Sequence, residues 1–143
     1  MGIKREIFEN LASTLQTLPW VKTIEWEKIR ITETDIRDHE VPMIQIYDTG
    51  SQNEHQRGNV QASLGIAIEL ILKQTVLGTA SQSELFDKVE EIETLIGNNV
   101  DLGVSGMIHL KYISDSTDLH TIEPYYYAVL NFEALYLKRF ASC

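Results

Sequence analysis

The sequence predicts a single α+β domain over residues 1–143, a mainly antiparallel sheet with two helices on one face. Three observations predict it. Two segments carry apolar residues at spacings of three and four, and several others alternate them with period two. Polar runs separate the strands, as turns between consecutive antiparallel strands require. With 43% hydrophobic and 23% charged residues, the chain is apolar enough to bury a core.

The first helix is read from Ile3, Ile7, Phe8, Leu11, Leu15 and Leu18, which share one helical face. Pro19 ends it, because its ring clashes with a preceding helical turn. From Val21 to Ile31, Ile24 and Trp26 alternate with Glu25 and Glu27, and then Ile29 and Ile31 take the apolar role. That pattern predicts a strand whose facing shifts once. Residues 32–41 are polar and read as a loop. Pro42 opens the next strand, in which Ile44 and Ile46 face one way. Residues 48–59 (DTGSQNEHQRGN) hold no large apolar side chain and two glycines, which predicts a mobile polar loop.

The clearest strand follows. Leu64, Ile66, Ile68, Leu70 and Leu72 alternate without a break, with Ala67 and Ile71 on the other side. A second helix is predicted over Gln82–Ile96, with a stripe of Leu85, Phe86, Val89, Ile92, Leu95 and Ile96. Ser81 and Glu84 have capping-box spacing, Glu84 and Lys88 form an i,i+4 pair, and Gly97 is placed as the helix stop. Two strands complete the chain. Residues 107–113 carry Ile108, Leu110 and Tyr112 on one side, and residues 125–138 carry Tyr126, Ala128, Leu130, Phe132, Ala134 and Tyr136. Residues 114–124 read as a polar turn region, and the order is α-β-β-β-α-β-β.

A formal net charge of -9 excludes a basic nucleic-acid footprint at the level of the whole chain. The one cysteine, Cys143, rules out an internal disulfide or a thiolate metal cluster. No signal peptide and no membrane-spanning run is expected.

Candidate chemistry is sparse. Asp35, Asp38, His39 and Glu40 bring carboxylates beside an imidazole, a donor set that suits a divalent cation, yet they lack the spacing of a calcium loop. His109 and His120 flank a turn near Glu123 and could serve as a general base, although His109 falls on the side of its strand away from the apolar residues. No serine sits in a nucleophile elbow and no glycine pair makes a phosphate loop. The expectation is therefore no enzyme, no catalytic residue, no metal and no cofactor. What remains is protein surface. Ala67 and Ile71, with Tyr125 and Tyr127 on the alternate side of the last strand, form a patch that a monomer leaves uncovered, which predicts a subunit contact.

Taken together, the chain resembles the tail terminator (tail completion) proteins of long-tailed bacteriophages. The resemblance lies in the N-terminal helix ending at Leu18-Pro19, the proline-opened strand VPMIQIY at 41–47, and the long polar loop before a long alternating strand. The helix ELFDKVEEIETLI and the tyrosine-rich last strand YYYAVLNFEALYLKR complete it. It implies a structural virion protein that caps the tail tube as a homohexameric ring, where the head then joins. It implies as partners other copies of the chain, the tail tube protein and a head–tail connector protein, with DNA passing through the lumen without specific binding. Assembly would take place in the host cytoplasm, with no membrane. The polar loop, with Gln52, Glu54, His55 and Arg57, would reach toward a neighbouring subunit, the tube or the lumen. The residues leave open another head–tail connector or neck subunit, a small metal-dependent enzyme and a host adaptor module.

Overall fold

In a computed structural model, the described residues are 2–27, 38–56, 59–73, 81–104, 106–118 and 125–139. They form two helices, α1 (Ile3–Leu15) and α2 (Gln82–Gly97), and five strands. The strands are β1 (Thr23–Glu25), β2 (Met43–Gln56), β3 (Asn59–Lys73), β4 (Met107–Asp118) and β5 (Tyr125–Arg139). The sheet order is β1-β2-β3-β5-β4, with β1 parallel to β2 and every other pair antiparallel. The fold is α+β, in the predicted element order.

Both helices lie on one sheet face. Ile7, Phe8, Leu11 and Leu15 of α1 and Leu85, Val89, Ile92 and Ile96 of α2 share one buried cluster with the inward residues of the strands. Those include Leu64, Ile66, Ile68 and Leu70 of β3, all with no exposed surface, and Ala128, Leu130, Phe132, Ala134 and Tyr136 of β5. The period-two pattern thus places β3 and β5 in register with their apolar residues on the same side. The start of α2 follows from local chemistry. The Ser81 hydroxyl accepts from the Glu84 N–H at 3.3 Å, and Lys88 pairs with Glu84 at 3.4 Å. The Tyr126 hydroxyl donates to Glu84 at 3.2 Å, tying α2 to β5. Burial, and then the Glu84 charge, push the Tyr126 hydroxyl up to about 12.

The structure corrects several expectations. Residues 48–56 are strand and not a loop: β2 runs to Gln56 and pairs with β3 as far as Gln56↔Asn59. A polar segment leaves no apolar signal, and here backbone pairing with β3 extends the strand through it. Likewise β4 continues through residues 114–118, which read as a turn. Helix α1 ends at Leu15, with Leu18 still buried in the turn that follows. Phe86 is 47% exposed, because it lies about 100° round the helix from Leu85 and off the stripe of Leu85, Val89, Ile92 and Ile96. Gly97 lies within α2, whose C-cap is Asn98 in the right-handed region. Among the described residues the early strand is β1 alone, and residues 28–37, including Ile29 and Ile31, lie outside them.

Two devices shape the sheet. A register shift in β2 falls between Asp48 and Gly50, and Gly50 takes a φ of 128° there. The Thr49 side chain then lies over Gly65 of β3, so closely that a Cβ built there would sit 2.2 Å from Thr49 Oγ1. The second device is the turn from α2 to β4. Leu102 has a φ of 51°, unusual for a side chain with a Cβ. Its side chain is buried, and Asn10 Nδ2 of α1 donates to its carbonyl at 2.9 Å. Packing and this hydrogen bond hold the turn against α1.

Gly65→Ala should lower stability by about 1–2 kcal/mol, because Thr49 must leave its position over β3. Urea unfolding should show this, and adding Thr49→Ala should recover part of the loss. An unchanged midpoint for Gly65→Ala would remove the close approach as a constraint.

Candidate interaction surfaces

The sheet face away from the helices carries Ile71, Tyr125 and Tyr127 among the predicted contact residues. Gln45 is buried to 1% exposure, and its Nε2 donates to Glu69 Oε1 at 3.1 Å across the β2–β3 pair. Burial raises the Glu69 carboxyl above the ordinary range, and the Gln45 hydrogen bond opposes the shift. Burial, and then the nearby Glu69 charge, raise the Tyr47 hydroxyl. On β5 and β4, Asn131 Nδ2 donates to Ser114 Oγ at 3.3 Å, and Glu133 lies across from Lys111.

The predicted patch is not open. Ile71 has no exposed surface and Tyr125 keeps 8%; they pack with Val41 and Met43 in a second small core, with Tyr127 partly buried against it. Ala67 is also buried, at 1%. The expectation of an uncovered patch at Ile71 and Tyr125 is therefore corrected. The sequence shows the alternate-side residues but not that Val41 and Met43 join them from the start of β2.

Gln52, Glu54 and His55 fall on β2, where their backbones pair with Ser63, Gln61 and Val60. Gln52 is exposed. Arg57 lies outside the described residues. Of the metal candidates, Asp38, His39 and Glu40 form a single 3₁₀ turn, and Asp35 lies outside the described residues. Among the described residues, no three His, Cys, Asp or Glu side chains group as metal ligands do. His109 is half-buried in β4 opposite Leu135; His120 and Glu123, the other members of the expected general-base group, lie outside the described residues.

Two surfaces escape the sequence reading. One is the pair of outer sheet edges. Strand β1 covers β2 only at Met43–Gln45, and β4 is the last strand on the other side. Among the described residues, no strand pairs with β2 beyond Gln45 on its outer side or with β4 on its outer side. Exposed Tyr112 and Ile113 sit on β4, at 39% and 50%. The other surface is a groove of about 730 Å³ between the end of α1 and α2, lined by Leu18, Pro19, Leu95, Asp87, Glu90 and Glu91 among others. The edges are hidden in sequence because they depend on strand order. The groove is hidden because it joins Leu18 and Pro19 to α2 across the fold.

The chain matches no protein-family model, and a search of the curated proteins finds no match. No helix among the described residues is long and apolar enough to cross a membrane.

The raised Glu69 pKa gives a signed expectation. A carboxyl whose folded pKa exceeds its unfolded value contributes stability below the unfolded range and loses it as pH rises through the folded pKa. Glu69→Gln keeps an acceptor for Gln45 and removes the charge. It should therefore match the parent at acid pH and exceed it in stability near neutral pH. Urea midpoints across that range would check this, and a variant less stable at neutral pH would contradict it.

Proposed function

We propose that the chain is a structural subunit of a phage virion, a tail terminator. In this reading six copies close into a ring that caps the tail tube and offers the surface for head joining. The partners are other copies of the chain, the tail tube protein and a head–tail connector protein.

The observation that supports this reading is the direction of the two free edges. Strands β2 and β5 run one way, and β3 and β4 run the other. When one copy is set beside another in the same orientation, β4 of the first meets β2 of the next. They meet antiparallel, so the sheet can continue across the contact. Such a contact uses two different surfaces of the chain, and a head-to-tail contact of that kind closes into a ring when its rotation divides a full turn. Among the described residues β4, 12 residues long, has no partner on its outer side, which is long for an edge that a monomer leaves bare. Gln52, Glu54 and His55 lie on the β2 side of this contact. The net charge of -9 per copy disfavours adhesion of DNA to a ring through which it must pass.

The test joins assembly to geometry. Purified protein, alone and with the tail tube protein of the same genome, is examined by light scattering and negative-stain microscopy. Ser51→Cys with Ile113→Cys, in a Cys143→Ser background, is then treated with a short bismaleimide. The expected result is hollow rings and a ladder of cross-linked species ending at the hexamer, with no ladder from either single-cysteine variant. Monomers under both conditions would overturn the ring. Rings without a ladder would move the contact away from these edges.

A further inference from the structure

We propose that the groove between the end of α1 and the C-terminal half of α2 is a docking site for a partner-protein segment in which an apolar anchor is flanked by lysine or arginine. The site is separate from the sheet edges and shares no residue with them.

Its chemistry comes from three features. The floor is apolar: Leu18 and Pro19 from the turn after α1, and Leu95 from α2. The wall is acidic: Asp87, Glu90 and Glu91 line the same groove, and no basic residue among the described ones does. Asp87 and Glu90 are exposed and make no ion pair among the described residues. The third feature is the helix ends. Helix α1 stops just before Leu18, and Asn98, the C-cap of α2, lines the groove. Helix C-termini carry partial negative charge and favour cations, yet neither helix has a basic residue in its last turn.

The cation nearest in sequence is committed elsewhere. Lys88, the only basic residue of α2, pairs with Glu84 and lies over the Trp20 ring, 5.0 Å from its centroid. Trp20 in turn donates its indole N–H to Glu91. This Trp20–Lys88–Glu91 arrangement braces the turn after α1 against α2 and keeps Lys88 from neutralising the wall.

The spacing of the carboxylates selects the kind of occupant. They do not gather as metal ligands do, since no three such side chains among the described residues group closely enough. A compact cation would not gather three of them at once among the described residues. An extended segment with separated positive charges can meet several while its anchor covers Leu18, Pro19 and Leu95. The anchor contributes apolar burial, and the flanking charges contribute orientation and rate of encounter.

The experiment uses the full chain and two synthetic peptides. One has leucine and phenylalanine flanked by lysines; the other has glutamates in place of the lysines. Binding is followed by backbone amide shifts over residues 87–98 and by the Trp20 indole signal. The lysine peptide should bind saturably, shift these residues and weaken with added salt. The glutamate peptide should bind the parent about tenfold more weakly or worse. Asp87→Lys with Glu90→Lys, both at exposed positions, should leave the melting temperature nearly unchanged and reverse the preference between the peptides. Equal affinity for both peptides, an unaltered preference in the double variant, or no saturable binding would overturn the proposal. So would a change of oligomeric state in the double variant, because the groove would then be a contact between copies of this chain.

Discussion

The structure depends on one constraint: β3 must keep Leu64, Ile66, Ile68, Leu70 and Leu72 on the helical side along its length. β3 is the middle strand, paired with β2 on one side and β5 on the other. A slip of one residue would turn five buried aliphatic side chains outward and bring Gly65, Ala67 and Glu69 under the helices. Each such side chain is worth about 1.5–3 kcal/mol of burial, so register is fixed by a margin that no local preference in the polar segments could offset. Once β3 is set, β5 follows in unbroken register, and its own alternation puts Tyr126 through Tyr136 beside the same helices. The helices are held by this surface and by each other.

That constraint explains what the sequence could show. Where burial selects residues, the pattern is legible: the stripe of α1, the β3 alternation, the β5 tyrosines and the Ser81 cap all appear in the structure as read. Where pairing extends beyond the core, the residues carry no apolar signal. Residues 48–56 and 114–118 look like loops by composition, and they are strands because their partners in β3 and β5 hold them there. The same blindness applies to faces. The sequence places Ile71 and Tyr125 off the main core, but only the fold shows that Val41 and Met43 enclose them. Phe86 errs in the other direction, since a large apolar residue next to a stripe position invites inclusion while helical geometry turns it to solvent.

The irregularities of the sheet lie in the two edge strands of its long ladder. The shift at Asp48/Gly50 is in β2, and β4 has two shifts, at Met107/His109 and Tyr112/Ser114. The long ladder between β3 and β5 has none. Bulges bend and twist the strand that carries them, one of the ways edges are kept from indiscriminate pairing. Here each bulged strand stays long and paired on its inner side. The edges therefore accept a partner of matching curvature better than a flat, foreign strand. Gly65 belongs to the same logic: the bulge brings Thr49 over β3, and only a residue without a Cβ leaves room for it.

The layering of the fold also separates two kinds of surface that a small subunit must keep apart. The outer strands β2 and β4 lie at the flanks of the sheet, whereas the groove at Leu18, Pro19 and Leu95 lies in the helical layer. Contact along the sheet would leave the groove residues uncovered, because none of them belongs to a strand. Charge is divided in the same way. Asp87, Glu90 and Glu91 stand on the helical layer beside two helix ends that lack their usual cations, while on the sheet Lys111 faces Glu133 across a strand pair. In the proposed docking, a cationic segment meets the acidic wall of the helical layer. The apolar floor then holds it, since Coulomb attraction at so exposed a wall is screened within about 8–10 Å at ordinary salt. The proposed self-association through backbone pairing and the proposed capture of a basic segment through charge thus rest on different physics, so one does not require the other.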